Sequence, residues 1–394
     1  MDYFQESLNL HKKHKGKISV EGKVPADTKD DLSLAYSPGV AAPCLEIHKN
    51  PDTVYDYTIK GNCVAIVSDG SAVLGLGNIG AMAAIPVMEG KAMLFKRFAG
   101  IDGFPICLDT QDADEIIRTV KLISPVFGGI NLEDISSPRC FYIERALQNI
   151  GIPVFHDDQH GTAVVAYAGL LNALKVVGKK IENLTVVING SGAAGGAIAQ
   201  LLRGVGNNDK TFTAVKDVIM CDTKGIIHRS RTDLNDIKIE FLEYTNFGNM
   251  TGDLRDALKG ADVFIGVSVA NLLTTEDVKT MAHDAIIFAL ANPVPEILMA
   301  EAVAGGAKVY GTGRSDLPNQ INNVLGYPGI FRGALDARAK RVTMEMKIAA
   351  ARAIADCVEH PTSDEVVPSP LDLRVPKAVA AAVKQAAIDC GATV

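Results

Sequence analysis

Residues 185–202, TVVINGSGAAGGAIAQLL, constrain the fold more than any other stretch of the chain. A β-branched run ends in a glycine turn, and a helix of small residues follows without a spacer. Gly190, Gly192 and Gly195 stand in G-x-G-x-x-G order at the mouth of that helix. The first glycine permits the tight turn, the second lets the backbone approach a pyrophosphate, and the third lets helix and strand pack closely. Free N–H groups at the helix start, around Ala193 and Ala194, face the anion. The pattern predicts a Rossmann-type dinucleotide-binding half. The next strand ends at Asp222, 27 positions beyond Gly195 where about 20 is usual; the loop GVGNNDKTF accounts for the excess. A carboxylate at that position accepts hydrogen bonds from the adenosine ribose and repels a 2′-phosphate, so NAD is expected ahead of NADP. Lys224, Arg229 and Arg231 follow closely enough to neutralise a phosphate, which keeps NADP possible.

Upstream, strand-like runs alternate with helical patterns. NCVAIVSDG (62–70), FPICLDT (104–110), VFGGINLED (126–134) and IPVFHDD (152–158) each end in polar or acidic residues. Helical segments are expected at 78–99, 112–122 and 138–149, the last with Ser137 as cap and Pro138 at the first helical position. A long apolar helix over 161–178 follows, and the polar GKKIENL marks a boundary. Strand–helix–strand spacing of this kind means a mostly parallel sheet, with ligands gathered at the carboxyl ends of its strands. The fold class is therefore α/β. An N-terminal catalytic domain (1–160) precedes a Rossmann NAD(P)-binding domain (161–358), and a Pro-rich connector with a last helix (359–394) packs back on the body. Two amphipathic helices are expected at 341–358 and 374–389.

Composition narrows the partners. A net charge of −7 argues against a nucleic-acid surface. The one basic run, HKKHKGK, reads as a solvated first helix that can serve as an interface. Seven cysteines without C-x-x-C spacing read as reduced thiols. The start carries no signal-like pattern and no apolar run approaches 18 residues, so a cytoplasmic protein without a membrane partner is expected.

The acidic strand ends carry the chemistry. INLEDI places Glu133 and Asp134 at one strand end, and FHDDQHG places Asp157 and Asp158 at the next. Carboxylates that converge without a cation raise one another's pKa, and an all-oxygen set suits Mg²⁺ or Mn²⁺. His156 and His160 are spaced i, i+4 as in a zinc helix, but the segment straddles a strand end and lacks the neighbouring glutamate, which disfavours zinc. Lys91 lies in an apolar helical context, where burial lowers a lysine's proton affinity and makes it a candidate base. Tyr36 precedes a Ser-Pro-Gly turn. Asn292 and Asn322 stand at a strand end and a helix start, placed to orient a carboxylate.

AYSPGVAAPCLEI, SDGSAVLGLGNIG, EGKAMLFKRFAGID, GGINLEDI, PVFHDDQHGTA, NGSGAAG, ALANPVPEI and LPNQINNVLGYPGIFRG occur in that order over about residues 10 to 390. Together they closely resemble the short, bacterial-type malic enzymes. The resemblance implies oxidative decarboxylation of (S)-malate to pyruvate and CO₂ with reduction of NAD(P)⁺ and a divalent metal. It matches Glu133, Asp134 and Asp158 to metal ligands, Lys91 to the general base and Tyr36 to the general acid. Asp157 lines the site, Asn292 and Asn322 contact substrate, and Asn292 also contacts the nicotinamide. A homodimer or larger homo-oligomer is implied. Where longer, animal-type members carry a carboxylate-gripping arginine, this chain has Ala72, and no C-terminal phosphotransacetylase-like module is expected. Rival readings are an amino-acid dehydrogenase, a sugar or phosphate metalloenzyme and an inactive dinucleotide-binding regulator. The acidic trio disfavours the first, the glycine turn the second, and the intact Lys91, Tyr36 and carboxylates the third.

Overall fold

The computed structural model describes residues 2–73 and 75–393. Two parallel sheets organise the chain. The first contains β1 (Cys63–Ser68), β2 (Asp102–Cys107), β3 (Gly129–Leu132) and β4 (Val154–His156), in the order β2-β1-β3-β4. The second contains β5 (Thr185–Asn189), β6 (Asp217–Asp222), β7 (Gly225–Ile226), β8 (Val263–Gly266), β9 (Ala285–Ala289) and β10 (Ala307–Thr312), in the order β10-β9-β8-β5-β6-β7. All pairs are parallel except β6–β7, a two-residue antiparallel step that no sequence pattern announced. Strand β1, CVAIVS, is buried at every position, as expected for a central strand covered on both faces, where an unbroken apolar run is favoured over alternation.

Register fixes the chemistry's location. Val67 pairs with Leu132, and Leu132 with His156, so Ser68, Glu133 and Asp157 follow side by side at the carboxyl ends of their strands. In the second sheet β5 lies between β8 and β6. The order therefore reverses beside the glycine turn, where a crevice opens outside the strand ends.

The helix between the sheets runs Asp157–Val177, four residues earlier than the sequence pattern suggested. Asp157 and Asp158 occupy its first turn rather than a relaxed strand end, and His160 lies inside it. Acidic residues at that end are favoured by the helix dipole, which competes with strand continuation. Gly178 ends the helix in the left-handed conformation, φ 67°. This is also the one helix among the described residues that is long and apolar enough to span a membrane, against the expectation of no such run. Its hydropathic window is 72% buried inside the protein, which is the behaviour of a core helix. Pro138 caps the Arg139–Leu147 helix rather than sitting inside it, and no side chain caps that end.

The Tyr327–Asp336 helix returns to the first half and packs against the Gly80–Ala99 helix. Phe95 meets Tyr327 edge-on at 4.8 Å and Phe331 at 5.3 Å, and Phe331 reaches Phe155 at 5.8 Å. Such pairs add roughly 0.5–1.5 kcal/mol each beyond the area they bury. Truncating Phe331 to alanine costs about 3–5 kcal/mol on that scale. The Arg374–Asp389 helix packs against the Tyr327–Asp336 helix and against the Met344–Asp356 helix that follows it. All seven cysteines are free.

Candidate active site

A cleft of about 930 Å³ runs between the two strand edges. Its walls carry Lys91, Glu133, Asp134 and Asp158 from the first half, and Ala193, Ala194, Asn292 and Asn322 from the second.

Ligand-type oxygens of Glu133, Asp134 and Asp158 lie within 4.8 Å of one another. Glu133 continues the β1–β3 ladder through its N–H to the Val67 carbonyl, and Asn131, two residues back on the same face, donates to Glu133 Oε2 at 2.8 Å. Asp134 takes a left-handed backbone, φ 54°, which turns the chain out of the strand. Its N–H donates to Asp158 Oδ2 at 2.8 Å, while its own Oδ2 is buried without a partner among the described residues. The turn is locked from behind: the Arg139 guanidinium donates to Asp69 and to Ser71 at 2.8 Å, and Ser71 Oγ accepts from the Ser136 N–H.

Electrostatics show how much negative charge is crowded here. Burial and the neighbouring Asp158 push the Asp134 carboxyl up to about 9. Burial pushes Glu133 up to about 7 against the pull of Lys91, and Asp158 up to about 6. An orphaned buried oxygen and three convergent carboxylates of raised pKa fit a hard divalent cation, and an all-oxygen donor set selects Mg²⁺ or Mn²⁺ over zinc.

Lys91 stands beside the trio, with Nζ 2.8 Å from Glu133 Oε1 and 2.5 Å from Asp157 Oδ2. The Tyr327 ring lies beneath it, 4.1 Å from Nζ to the centroid. Sequence reasoning expected burial to lower this lysine's proton affinity. Burial does pull that way, but Asp157 and Glu133 outweigh it and hold the ammonium well above its usual pKa. Asp157 is wholly buried, and Gly161 one turn later leaves space for it, since a Cβ there would collide with Oδ1. His156 is also sealed, and burial lowers it to about 4, so it is a neutral imidazole 3.5 Å from Asp158 Oδ2.

The glycine turn has the shape its spacing demands. Gly190 has φ 115°, and a Cβ there would stand 2.6 Å from the Val267 carbonyl oxygen. A Cβ on Gly195 would run into the Gly190 carbonyl, whereas one on Gly192 meets nothing within 4 Å. Gly192 therefore leaves open space beside the cleft-lining Ala193 and Ala194, as close backbone approach to a pyrophosphate requires.

Two expected residues have surroundings that the sequence does not show. The Asp222 carboxylate is paired within the chain: Oδ1 accepts from Arg231 Nη1 at 2.8 Å and the Lys224 N–H at 2.9 Å. Its Oδ2 accepts from Arg231 Nη2 at 3.0 Å and Lys238 Nζ at 2.6 Å. Arg229 instead donates to the Asn246 and Leu242 carbonyls. Tyr36, at the end of the Lys29–Ala35 helix, is 73% exposed and is not among the residues lining the cleft. A sequence cannot show either outcome, because both depend on side chains brought in from elsewhere. Ser7, His11 and Lys17 reach the cleft from the N-terminal segment, and Tyr327, Asn131 and Arg139 support it. His11 and Lys17 lie in the basic run HKKHKGK, and Asn131 and Tyr327 in GGINLEDI and LPNQINNVLGYPGIFRG, but none is singled out there; the placement of Asn131 two residues before Glu133 on one strand face is the signal that points inward.

Known proteins resemble this chain along nearly its whole length. The family model described as malic enzyme, N-terminal domain, matches residues 13–148, and that described as malic enzyme, NAD binding domain, matches 159–388. A bifunctional malic/malolactic enzyme of Bacillus subtilis is 56% identical over 395 residues, covering 99% of this chain and 94% of its own. An NAD-dependent malic enzyme of Geobacillus stearothermophilus is 55% identical, covering 95% of this chain and 77% of its own. The crystal structure of malic enzyme from Pyrococcus horikoshii superimposes with a TM-score of 0.94 at 49% identity, over 99% of this chain and 92% of that one.

Proposed function

The chain belongs to the malic enzyme family and is an NAD(P)-dependent enzyme of oxidative malate decarboxylation; from that premise we propose how its own residues divide the work. Residues 1–160 supply the chemistry, 161–358 hold the dinucleotide, and 359–394 brace the body. Glu133, Asp134 and Asp158 are the ligands of Mg²⁺ or Mn²⁺. A divalent cation held there would supply positive charge to the substrate's oxygens and would offset the carboxylates that otherwise keep Lys91 protonated.

Lys91 takes the proton from the C2 hydroxyl as hydride leaves C2, a transfer worth roughly 10²–10⁴ in rate. Asp157, its 2.5 Å partner, holds the amine in place and lines the site. Asn292 and Asn322, on the facing wall, orient the substrate carboxylate, and Asn292 also meets the nicotinamide. Gly190, Gly192, Ala193, Ala194 and Gly195 bind the pyrophosphate. After the C3–C4 bond breaks and CO₂ departs, C3 needs a proton, and Tyr36 is its proposed source. Since Tyr36 is exposed and does not line its own cleft, it acts in the cleft of a second copy. Exposed Tyr3, Phe4, Leu8, Leu34 and Tyr36 near the N-terminus supply an apolar face for such a homodimer. NAD is the proposed main cofactor, supported by the name of the Geobacillus stearothermophilus relative.

The observation that carries this reading is the convergence of three carboxylates within 4.8 Å beside the Lys91 amine. Measuring NAD(P)H and pyruvate together, with Mn²⁺ or with a chelator, tests it. Equal amounts of both products, in Mn²⁺ only, are expected. Metal-independent reduction, or oxaloacetate in place of pyruvate, would refute it.

A further inference from the structure

Behind the carboxylates, three buried ionisable groups that the proposed chemistry does not use form one line of hydrogen bonds. Glu144 comes from the Arg139–Leu147 helix, His160 from the Asp157–Val177 helix and Lys347 from the Met344–Asp356 helix. Each is less than a tenth exposed. Both Glu144 oxygens lie 2.9 Å from His160 Nε2, and Lys347 Nζ lies 3.0 Å from His160 Nδ1. An ammonium can only donate, so Nδ1 accepts and Nε2 carries the proton. The line is an ammonium, a neutral imidazole and a carboxylate.

Glu144 holds more than the histidine. Its Oε1 accepts from the His156 N–H and its Oε2 from Gln159 Nε2, each at 3.2 Å. Those partners, positions 156, 159 and 160, flank Asp157 and Asp158 on both sides. The first turn of the helix is therefore gripped around the two aspartates, by a residue that touches neither. Packing alone does not call for this, because a buried ionic set is seldom more stable than well-packed apolar side chains of the same volume. What it adds is direction.

We propose that Glu144, held by His160 and Lys347, is a positioning residue that fixes the first turn of the Asp157–Val177 helix and aims Asp158 at the metal. This rests on the reading of Asp158 as a ligand. Lys347 lies beyond the nucleotide sheet in the chain, so the line also ties the returning C-terminal helices to the metal-binding edge. Residues that orient a ligand through hydrogen bonds typically control metal affinity by 10–100-fold.

The test compares Mn²⁺ and NADH dissociation constants of wild type, Glu144→Gln, Lys347→Met, Lys347→Arg and Asp158→Ala, each shown to be folded by circular dichroism. Mn²⁺ binding is expected to weaken about 10–100-fold in Glu144→Gln and Lys347→Met, with NADH binding within about twofold of wild type and Lys347→Arg restoring most of the loss. If Glu144→Gln does not fold, Lys347→Met and its arginine rescue decide the matter. Mn²⁺ affinity that stays at the wild-type value in these variants would overturn the positioning role, as would Mn²⁺ and NADH affinities that fall together. Should Asp158→Ala bind Mn²⁺ as wild type does, the ligand reading itself fails instead, so the two failures are distinct.

Discussion

Lys91 Nζ lies 2.5 Å from Asp157 Oδ2, and both groups are buried. An ion pair this close is part of the working site rather than a surface contact, because a buried ammonium needs a partner and a base needs a fixed position. Replacing Lys91 with methionine is expected to lower kcat roughly 10²–10⁴-fold while NADH binding holds. Lys91→Arg is expected to be equally inactive, since guanidinium does not deprotonate in proteins. Steady-state kinetics with fluorescence titration of NADH checks this; a Lys91→Met enzyme of near-normal kcat would remove the lysine from the chemistry.

The three glycines of the turn make separable predictions. A methyl group on Gly192 meets nothing within 4 Å, so Gly192→Ala leaves the melting temperature unchanged. The same methyl intrudes where the pyrophosphate must approach, so the KM for the dinucleotide rises about tenfold or more. Gly195→Ala, which drives a Cβ into the Gly190 carbonyl, loses stability as well. Thermal melts and cofactor titrations of the two variants should therefore diverge, and identical behaviour would contradict the geometry.

At the adenosine end, Arg231 and Lys238 already occupy the Asp222 carboxylate. Its rejection of a 2′-phosphate is accordingly weakened, and wild-type kcat/KM for NAD and NADP should differ by only about tenfold. Lys238→Ala removes one cation from Asp222 Oδ2 and is expected to shift the ratio several-fold toward NAD. A ratio unmoved by that substitution would show that the cluster does not read the ribose.

Acid stability reports on Glu144. Burial alone would raise its carboxyl, but His160, the hydrogen bond from it and the Lys347 ammonium hold the pKa at about 2, below the ordinary 4.5. A carboxylate depressed on folding stabilises the protein above the unfolded pKa and loses that contribution as pH falls through the folded one. The difference in unfolding free energy between wild type and Glu144→Gln should be flat above about pH 5 and shrink by about 3 kcal/mol toward pH 2. Denaturant titrations across that range check it, and a difference independent of pH would contradict the pairing.

Much of this was legible in the chain itself because it depends on local rules. The glycine turn needs only spacing, and the acidic strand ends need only the knowledge that parallel strands share a carboxyl edge. The start of the Asp157–Val177 helix was not legible: the apolar pattern begins at Ala163, and the polar first turn resembles a strand end until Glu144 is seen gripping it. Lys91 was placed correctly in the interior, yet its charge state depends on Asp157 and Glu133, which are 66 and 42 positions away in sequence. The pairing of Asp222 was hidden for the same reason, since Lys238 reaches it from a helix that spacing does not tie to that strand. Local chemistry is written in sequence, while the partners that tune it come from register and packing.

The most direct test of the central claim is an Mn²⁺ titration followed by electron paramagnetic resonance on wild type and Asp158→Ala. Wild type should bind one tightly held ion per chain, and Asp158→Ala should bind it at least about 100-fold more weakly while retaining wild-type affinity for NADH. Unchanged Mn²⁺ affinity in Asp158→Ala would contradict the assignment of Glu133, Asp134 and Asp158 as the metal site.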